Sequence, residues 1–241
     1  MKKYELTSET KVINGVEVHR IKALKSFGNI KEGDLGGWIE SEKNLSQDGN
    51  AWIFENATVY DNARVGGDAK VRDNARVGDN AKVRDNAWVG ENAWVNGDAL
   101  VGGDAWVNGN SLVGGNAEVY GNSWVGYNAK VGGNVNVRDN ARIGGDAKVY
   151  GNATISWDAT VRGKEDYIVF KNWWSSGRYF TWTRSNNKWA VGCFYGSGEE
   201  LIAKAYKDSV KSGLEYERVV KYVNDILKED NDNGNRNKCE G

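Results

Sequence analysis

The stretch "VRDNARVGDNAKVRDNAWVGENAWV", residues 71–95, contains the pattern that decides the fold. An aliphatic residue recurs every six positions at nineteen consecutive sites, from Ile53 to Val161. The residue two places before each of them is small, and the residue three places before is always Asn or Asp, from Asn50 to Asp158. A fixed short period of this kind predicts a solenoid of stacked repeats.

The alternation within one repeat predicts its geometry. The small and the aliphatic residue are separated by one position, so both should point into the core while the residue between them points outwards. We expect each six-residue segment to form one side of a triangle and three segments to form one coil, which gives about six coils. The invariant Asn or Asp is placed at the corner, because these residues tolerate the left-handed conformation.

The repeat resembles the hexapeptide repeat of left-handed parallel β-helices, and the resemblance covers about half of the chain. It implies a mainly β fold, a left-handed parallel β-helix. The hand is implied by the resemblance alone, since the general crossover rule for parallel strands would give a right-handed connection.

The segments on either side of the repeat divide the chain further. Residues 4–24 predict a β-hairpin with a type I′ turn at Asn14-Gly15, and residues 25–44 are interpreted as a loop. Ile39 and Leu45 are six residues apart and are expected to form an irregular first coil. The predicted divisions are an N-terminal hairpin and capping loop (1–44), the β-helix (45–163), a small α+β domain (164–229) and a disordered tail (230–241).

The C-terminal part lacks the six-residue period. "DYIVFKNWW", "GRYFTWTRS" and "KWAVGCFYG" predict three strands, with a turn at Asn186-Asn187. Ser197 and Glu200 have the spacing of a capping box at the start of a helix. Gly213 is expected to separate this helix from a second one over residues 214–228, which carries an apolar stripe at helical spacing. We expect the domain to cover the open edge of the β-helix.

Composition restricts the classes of protein to consider. The formal net charge is −1, and the basic residues of the early repeats alternate with acidic ones, so nucleic-acid binding is disfavoured. The chain has two cysteines in unlike settings, no apolar run after its basic start and no stretch long enough to span a bilayer. A cytoplasmic location is expected.

A search for catalytic groups finds few candidates. Most enzymes with the resembled fold are acyltransferases, and their trimers place a catalytic His between adjacent β-helices. This chain has one histidine, His19, in the predicted hairpin, and residues 53–161 contain neither His nor Cys. A zinc site with three His ligands cannot form within one subunit, and the acidic corner residues are interpreted as turn residues. We therefore predict no catalytic residue, no metal and no cofactor.

Tryptophans stand out in the outward column of the repeat. Taking every third repeat places Trp88, Trp106 and Trp124 one coil apart on one face. Four or five large apolar side chains in contact would form a larger apolar patch than a monomer usually exposes. The favoured interpretation is an interface for a homodimer or homotrimer, and the alternatives are cover by the hairpin or C-terminal domain, or a foreign partner or sugar. The predicted interface residues are Trp88, Trp94, Leu100, Trp106, Leu112 and Trp124.

Three hypotheses about function follow, and the first is a non-enzymatic interaction protein. "RIKALKSFGNIKEGDLGGWIESEKNLSQDGNAWI" is similar to the opening of hexapeptide-repeat proteins of phages and prophages, and "GCFYGSGEEL" looks like their end. This resemblance implies a partner macromolecule, a bacterial host or defence protein that the chain inhibits, and it implies the host cytoplasm as the location of a phage-encoded protein. The second hypothesis is an acyltransferase-like enzyme that uses Cys193 or His19. The third is a nucleotide- or sugar-binding module. The partner-binding candidates are Trp173, Trp174, Arg178, Trp182 and Trp189, for which the alternative is a domain core.

Overall fold

The computed structural model describes residues 2–236, with side chains for residues 2–230. The chain forms two compact units, one made of residues up to 168 together with 183–186, the other of residues 169–182 and those from 187 onwards. The first is a parallel β-solenoid of about seven turns, and the second contains antiparallel strands and helices. The predicted mainly β, parallel solenoid fold is confirmed, while its left hand and the boundaries between the four predicted segments stay predictions.

The first unit begins with the predicted hairpin. Strand β1 (Tyr4–Ile13) pairs antiparallel with β2 (Val16–Ala23). Asn14 and Gly15 have φ values of 50° and 83°, as a type I′ turn requires. The sequence prediction for this element is therefore confirmed.

Part of the segment predicted as a loop is a strand. Strand β3 (Leu35–Ile39) pairs antiparallel with β2 and parallel with Thr58–Val59. A Cβ on Gly37 would lie 2.6 Å from the Ala57 carbonyl oxygen, so glycine permits this close approach of backbones. A 3₁₀ turn (Glu42–Asn44) follows, and Leu45 bridges Val65, which completes the expected irregular first coil.

The repeat forms nineteen two-residue strands in parallel register on three faces. One face continues the hairpin sheet in the order β1-β2-β3-β5-β8-β11-β14-β17-β20, and the others run β22-β19-β16-β13-β10-β7-β4 and β21-β18-β15-β12-β9-β6. The strands are β4 (Trp52–Ile53), β5 (Thr58–Val59), β6 (Arg64–Val65), β7 (Lys70–Val71), β8 (Arg76–Val77), β9 (Lys82–Val83), β10 (Trp88–Val89), β11 (Trp94–Val95), β12 (Leu100–Val101), β13 (Trp106–Val107), β14 (Leu112–Val113), β15 (Glu118–Val119), β16 (Trp124–Val125), β17 (Lys130–Val131), β18 (Asn136–Val137), β19 (Arg142–Ile143), β20 (Lys148–Val149), β21 (Thr154–Ile155) and β22 (Thr160–Val161).

The interior is built from the two inward columns. The alanines and valines of the repeat are almost completely buried, as the alternation predicts. A single coil cannot bury both columns by itself, whereas stacked coils bury each valine against its equivalents one coil away. The solenoid is therefore held together by repetition of one small packing unit.

The corners differ from the prediction. The left-handed residue is the one before the invariant Asn or Asp, as at Asp73, Asp85 and Gly103, with φ values of 59°, 59° and 64°. The invariant residue instead forms side-chain ladders between coils, in which an Asn Nδ2 donates to the Asn or Asp Oδ1 eighteen residues later. A ladder stops at each Asp, because a carboxylate accepts and cannot donate.

The part of the chain after the repeat contains four strands where three were predicted. They are β23 (Tyr167–Lys171), β24 (Tyr179–Thr183), β25 (Lys188–Val191) and β26 (Phe194–Gly196), arranged in this order in one sheet. Gly192, with a φ of 58°, makes a turn that divides the third predicted segment into β25 and β26. The turn at Asn186-Asn187 is confirmed, with a φ of 49° at Asn187.

Helix α1 (Gly198–Asp208) starts with the predicted capping box, in which Ser197 Oγ accepts from the Glu200 N–H. The break before α2 (Val210–Arg236) lies at Ser209, so the prediction that Gly213 separates the helices is wrong. Gly213 lies inside α2, where a Cβ would meet the Tyr206 ring of α1. Residues 230–236 of the predicted tail continue α2, and residues 237–241 lie outside the described part. None of the described helices is long and apolar enough to cross a membrane.

Candidate functional site

The predicted tryptophan stack lies on the seven-stranded sheet. Trp88 is paired with Trp106, and Trp106 with Trp124, in adjacent coils. The Trp88 and Trp106 ring centroids lie 4.6 Å apart at an angle of 54°. Trp52, on the same face, is buried beneath the edges of Tyr4 and Phe27. The N-terminal segment thus covers one end of the face, while the Trp106 side chain stays 48% exposed.

A first groove of about 770 Å³ runs along the Trp88 end of this face. The Trp88 and Trp106 rings line it together with Lys70 and Arg72. The Arg72 guanidinium lies 5.0 Å from the Trp88 ring centroid, and Lys70 Nζ lies 6.0 Å from it, within the range of cation–π interactions. The other lining residues are Gly28, Asn29, Ile30, Asn50, Phe54, Glu55, Asp68 and Asn86.

A second groove of about 650 Å³ lies at the Trp124 end. Its aromatic side chains are Trp106, Trp124 and Tyr127, and its cations are Arg142 and Arg162. The remaining lining residues are Asp104, Asn122, Ser123, Gly144, Gly145 and Thr160. A smaller cavity of about 330 Å³ is lined by Trp88, Trp106, Arg72, Asp73 and Glu91, among others, so Trp106 borders all three spaces.

The carboxylates around the first groove are engaged with backbone groups. Glu55 Oε2 accepts from the Asp73 N–H at 3.1 Å, and Asp73 Oδ2 accepts from the Glu91 N–H at 2.9 Å. Asp68 Oδ1 accepts from the backbone N–H and the side chain of Asn50. These groups brace adjacent coils, which accounts for the acidic corner residues. Within residues 2–230, no cluster of three or more His, Cys, Asp or Glu side chains is arranged to hold a metal.

The six predicted interface residues lie on three different sheets. Trp94 and Leu112 are paired on the nine-stranded sheet, whereas Leu100 lies on the six-stranded sheet beside Lys82 and Glu118. Only Trp88, Trp106 and Trp124 share one face. Homo-oligomerisation through these residues stays a prediction.

The C-terminal candidates divide by burial. Trp182 and Trp189 are 0% and 1% exposed, so their predicted contact with a partner is wrong, and both belong to the core of the second unit. Trp189 packs against Phe180 with ring centroids 6.0 Å apart, and Trp182 Nε1 donates to Asn187 Oδ1 at 2.8 Å. Trp174 is half-buried against Tyr216, while Trp173 and Arg178 are exposed.

The two predicted nucleophile or base candidates lie elsewhere. His19 is half-buried in β2, opposite Thr10 and Ile39, and does not line any of the grooves on the tryptophan face. Cys193 is an exposed free thiol in the turn between β25 and β26. It borders a cavity of about 310 Å³ within the second unit, together with Arg178 and Lys204.

Sequence reasoning missed the cations of the second groove. Arg142 stands in the same outward column as Trp88, Trp106 and Trp124, so the column itself contained the signal. Arg162 follows the last valine of the repeat and lies outside that column. Gly126 and Gly144, which lie against the Trp124 ring, carried no recognisable signal, since glycine occurs at many equivalent corners.

Comparison with known proteins gives one statement about function. No model of a known protein family matches the sequence. The chain is similar to a protein of Escherichia coli strain K12 named "Uncharacterized acetyltransferase YdcK", with 32% identity over 77 residues. The matched region makes up 28% of this chain and 24% of that protein, so the similarity spans about a quarter of the relative's length.

This similarity corrects the first functional hypothesis. A non-enzymatic phage-type protein that inhibits a host or defence protein was expected, whereas the similar protein is named as an acetyltransferase. The comparisons give no support to a phage origin. The second hypothesis, an acyltransferase-like hexapeptide protein, agrees with both the solenoid and this relative.

Proposed function

We propose that the chain is an acyltransferase of the hexapeptide-repeat type and that its first groove binds an acyl-coenzyme A donor. The observation that carries the proposal is the similarity to a named acetyltransferase within a chain that folds as a solenoid of six-residue repeats. The groove adds a chemical reason. It combines aromatic faces with cations, and coenzyme A carries an adenine ring and phosphates.

The proposed contacts follow from the properties of these groups. The adenine stacks on the indole surface of Trp88 and Trp106, an interaction worth about 1–3 kcal/mol per base at comparable sites. The phosphates pair with Lys70 and Arg72. Arg72 Nε lies 3.2 Å from Asp73 Oδ2 in an ion pair, which orients the guanidinium while its N–H groups can bind the donor.

The transfer itself needs an acceptor next to the thioester. A hydroxyl or amine of the acceptor attacks the thioester carbonyl, the new C–O or C–N bond forms, and the C–S bond breaks. The thiolate leaves with the electron pair, and the proton lost by the acceptor ends on the thiol. Holding both reactants on one rigid face lowers the entropic part of the barrier.

Calorimetric titration of acetyl-coenzyme A into the full chain tests the donor site. We expect saturable binding that Trp106→Ala weakens about tenfold or more, corresponding to about 1.4 kcal/mol. Trp94→Ala is the matched control, because Trp94 is 40% exposed in an equivalent strand but lies outside the grooves on the tryptophan face. Absence of binding by the wild-type chain, or equal losses in both variants, would contradict the proposed donor site.

The role of the two reactive side chains is tested separately. Since neither His19 nor Cys193 lines the grooves, His19→Gln and Cys193→Ser should each leave turnover within about twofold, well short of the 10²–10⁴-fold effect of losing a general base. Free coenzyme A should be quantified by chromatography, because thiol reagents also react with Cys193. A hundredfold loss in either variant would assign the proton transfer to that residue and place the reaction outside the grooves.

A further inference from the structure

We propose that the second groove binds an acidic sugar, a hexuronate or a sugar phosphate, which is the acceptor of the acyl group. The acceptor role rests on the proposed function, whereas the binding of the sugar does not. The inference joins three properties of the groove: arginines whose guanidinium groups have no ion-pair partner, solvent-exposed acceptor oxygens, and a fixed aromatic surface.

The first property is unneutralised positive charge. Arg84 and Arg138 each have a neighbouring Asp within 4.0 Å. Arg142 and Arg162, by contrast, are exposed, and their guanidinium groups have no carboxylate within that distance among the described side chains, while Asp166 Oδ2 accepts from the backbone N–H of Arg162 at 2.7 Å. Both line the groove, and the guanidinium fork matches a carboxylate or a phosphate. An anion is therefore the expected ligand.

The second property comes from an interruption of a corner ladder. Asn86 Nδ2 donates to Asp104 Oδ1 at 2.9 Å, and Asn122 Nδ2 donates to Asn140 Oδ1 at 3.2 Å. The carboxylate of Asp104 cannot donate onwards, so no described residue donates to Asn122 Oδ1. Asp104 and Asn122 thus present acceptor oxygens to the same groove. Both residues are exposed, so water donates to these oxygens in the free protein, and the hydroxyl groups of a sugar would replace that water with donors of their own, which a simple aromatic acid would not.

The third property is the fixed orientation of Trp124. Its Nε1 donates to Asn108 Oδ1 at 2.9 Å, and Tyr127 packs against it edge-on with centroids 5.4 Å apart. Gly126 and Gly144 lie beneath the ring, since a Cβ on Gly144 would be 3.0 Å from Trp124 Cζ3 and one on Gly126 would clash. The indole is therefore a preorganised flat surface for one face of a sugar ring, and little side-chain entropy is lost on binding.

The position of the groove fits an acceptor. Trp106 borders both grooves, so a sugar on Trp124 and a donor on Trp88 would meet over Trp106. The volume of about 650 Å³ lies within the range of small-molecule sites. A sugar hydroxyl would then be the group that attacks the thioester.

Ligand-observed NMR titration of the full chain tests this inference with glucuronate, glucose 6-phosphate, glucose and inorganic phosphate. We expect at least one of the two acidic sugars to bind at least about tenfold more tightly than both glucose and phosphate, and to be weakened about tenfold by Arg142→Gln or Arg162→Gln. Comparing glucuronate with glucose 6-phosphate distinguishes a carboxylate ligand from a phosphate ligand. Arg76→Gln is the matched control, since Arg76 is an equally exposed cation in a repeat strand outside the grooves.

Each other result overturns the inference. If glucose binds as tightly as the acidic sugars, the negative charge of the ligand has no role. If inorganic phosphate binds as tightly as they do, the groove recognises an anion and not a sugar. Unchanged affinity in both arginine variants would place the sugar elsewhere. Acetyl-coenzyme A is titrated into the same variants: if it fails to bind the wild type while the acidic sugar binds, the proposed donor site fails and the sugar site stands.

Discussion

At the scale of single residues, the corners carry more of the structure than the repeat suggests. The invariant Asn links coils through side-chain ladders, and the acidic residue before it accepts the backbone N–H of the next coil. The sequence shows which positions are invariant but not which of two adjacent residues takes the left-handed conformation. Both Asn and Asp tolerate that conformation, so only the three-dimensional stacking distinguishes them.

Asp85 provides a test of the corner carboxylates. Its Oδ2 accepts from the Gly103 N–H at 3.0 Å and from the Tyr120 hydroxyl at 2.9 Å, and these bonds hold its pKa below the usual value. Asp85→Ala should lower the free energy of unfolding at pH 7 by about 1 kcal/mol or less, because the group is solvent-screened. The folded-state pKa is the lower one, so this contribution is present above the unfolded-state pKa and lost as pH falls through the folded-state pKa.

Urea unfolding of the wild type and of Asp85→Ala at pH 7 and pH 3 measures the difference in their free energies of unfolding. The gap between wild type and Asp85→Ala should shrink at pH 3, and Asp85→Asn, which keeps an acceptor oxygen, should lose less at pH 7. A gap that is independent of pH would show that the charge of Asp85 has no part in the contact.

Lys3 gives a second pH-dependent prediction, in the alkaline range. Its buried ammonium donates to the Ala51 carbonyl at 3.0 Å, and burial lowers its pKa from 10.5 to about 8. Between these values the unfolded chain binds more protons, so stability should rise with pH. Unfolding measured from pH 7.5 to 9.5 should show this rise in the wild type relative to Lys3→Met. Parallel curves for the two proteins would contradict the assignment.

At the scale of elements, the six-residue period predicted the nineteen repeat strands but not the elements on either side of them. Strand β3 was missed because "LGGWI" has the composition of a loop, and its glycines are required by the close approach of Ile53 and Ala57 backbones. The helix break was misplaced for a similar reason, since Gly213 serves contact with Tyr206 and not termination. In both cases the glycine permits close packing, and a single sequence does not distinguish such a glycine from one in a turn.

A pair of glycine substitutions tests this interpretation of β3. Gly37→Ala should destabilise the chain by about 1–3 kcal/mol, because its Cβ would lie 2.6 Å from the Ala57 carbonyl oxygen. Gly66→Ala should change stability by less than about 0.5 kcal/mol, since its nearest new contact is Ser46 Cβ at 3.6 Å. Thermal unfolding compares the two directly. Equal effects would mean that the steric explanation of Gly37 is wrong.

At the scale of the whole molecule, the solenoid aligns side chains that are eighteen residues apart in the sequence. Sorting the outward column by face therefore predicted that Trp88, Trp106 and Trp124 occupy adjacent coils of one sheet. The second groove escaped prediction, because it also depends on Arg162, outside the column, and on glycines beneath Trp124. The search for catalytic His and Cys residues selected His19 and Cys193, which do not line the grooves of the tryptophan face. The proposed site is therefore argued from side chains that bind the substrates and not from a catalytic residue.

The most direct test of the central claim is transfer of the acyl group itself. The full chain is incubated with acetyl-coenzyme A and glucuronate or glucose 6-phosphate, and the products are separated and weighed by mass spectrometry. We predict an O-acetylated sugar formed in equal amount to free coenzyme A, with the rate reduced about tenfold or more in Trp106→Ala and unchanged in Trp94→Ala. If these sugars and a panel of hydroxyl and amine acceptors all stay unacetylated while the donor stays intact, the chain is not the acyltransferase proposed.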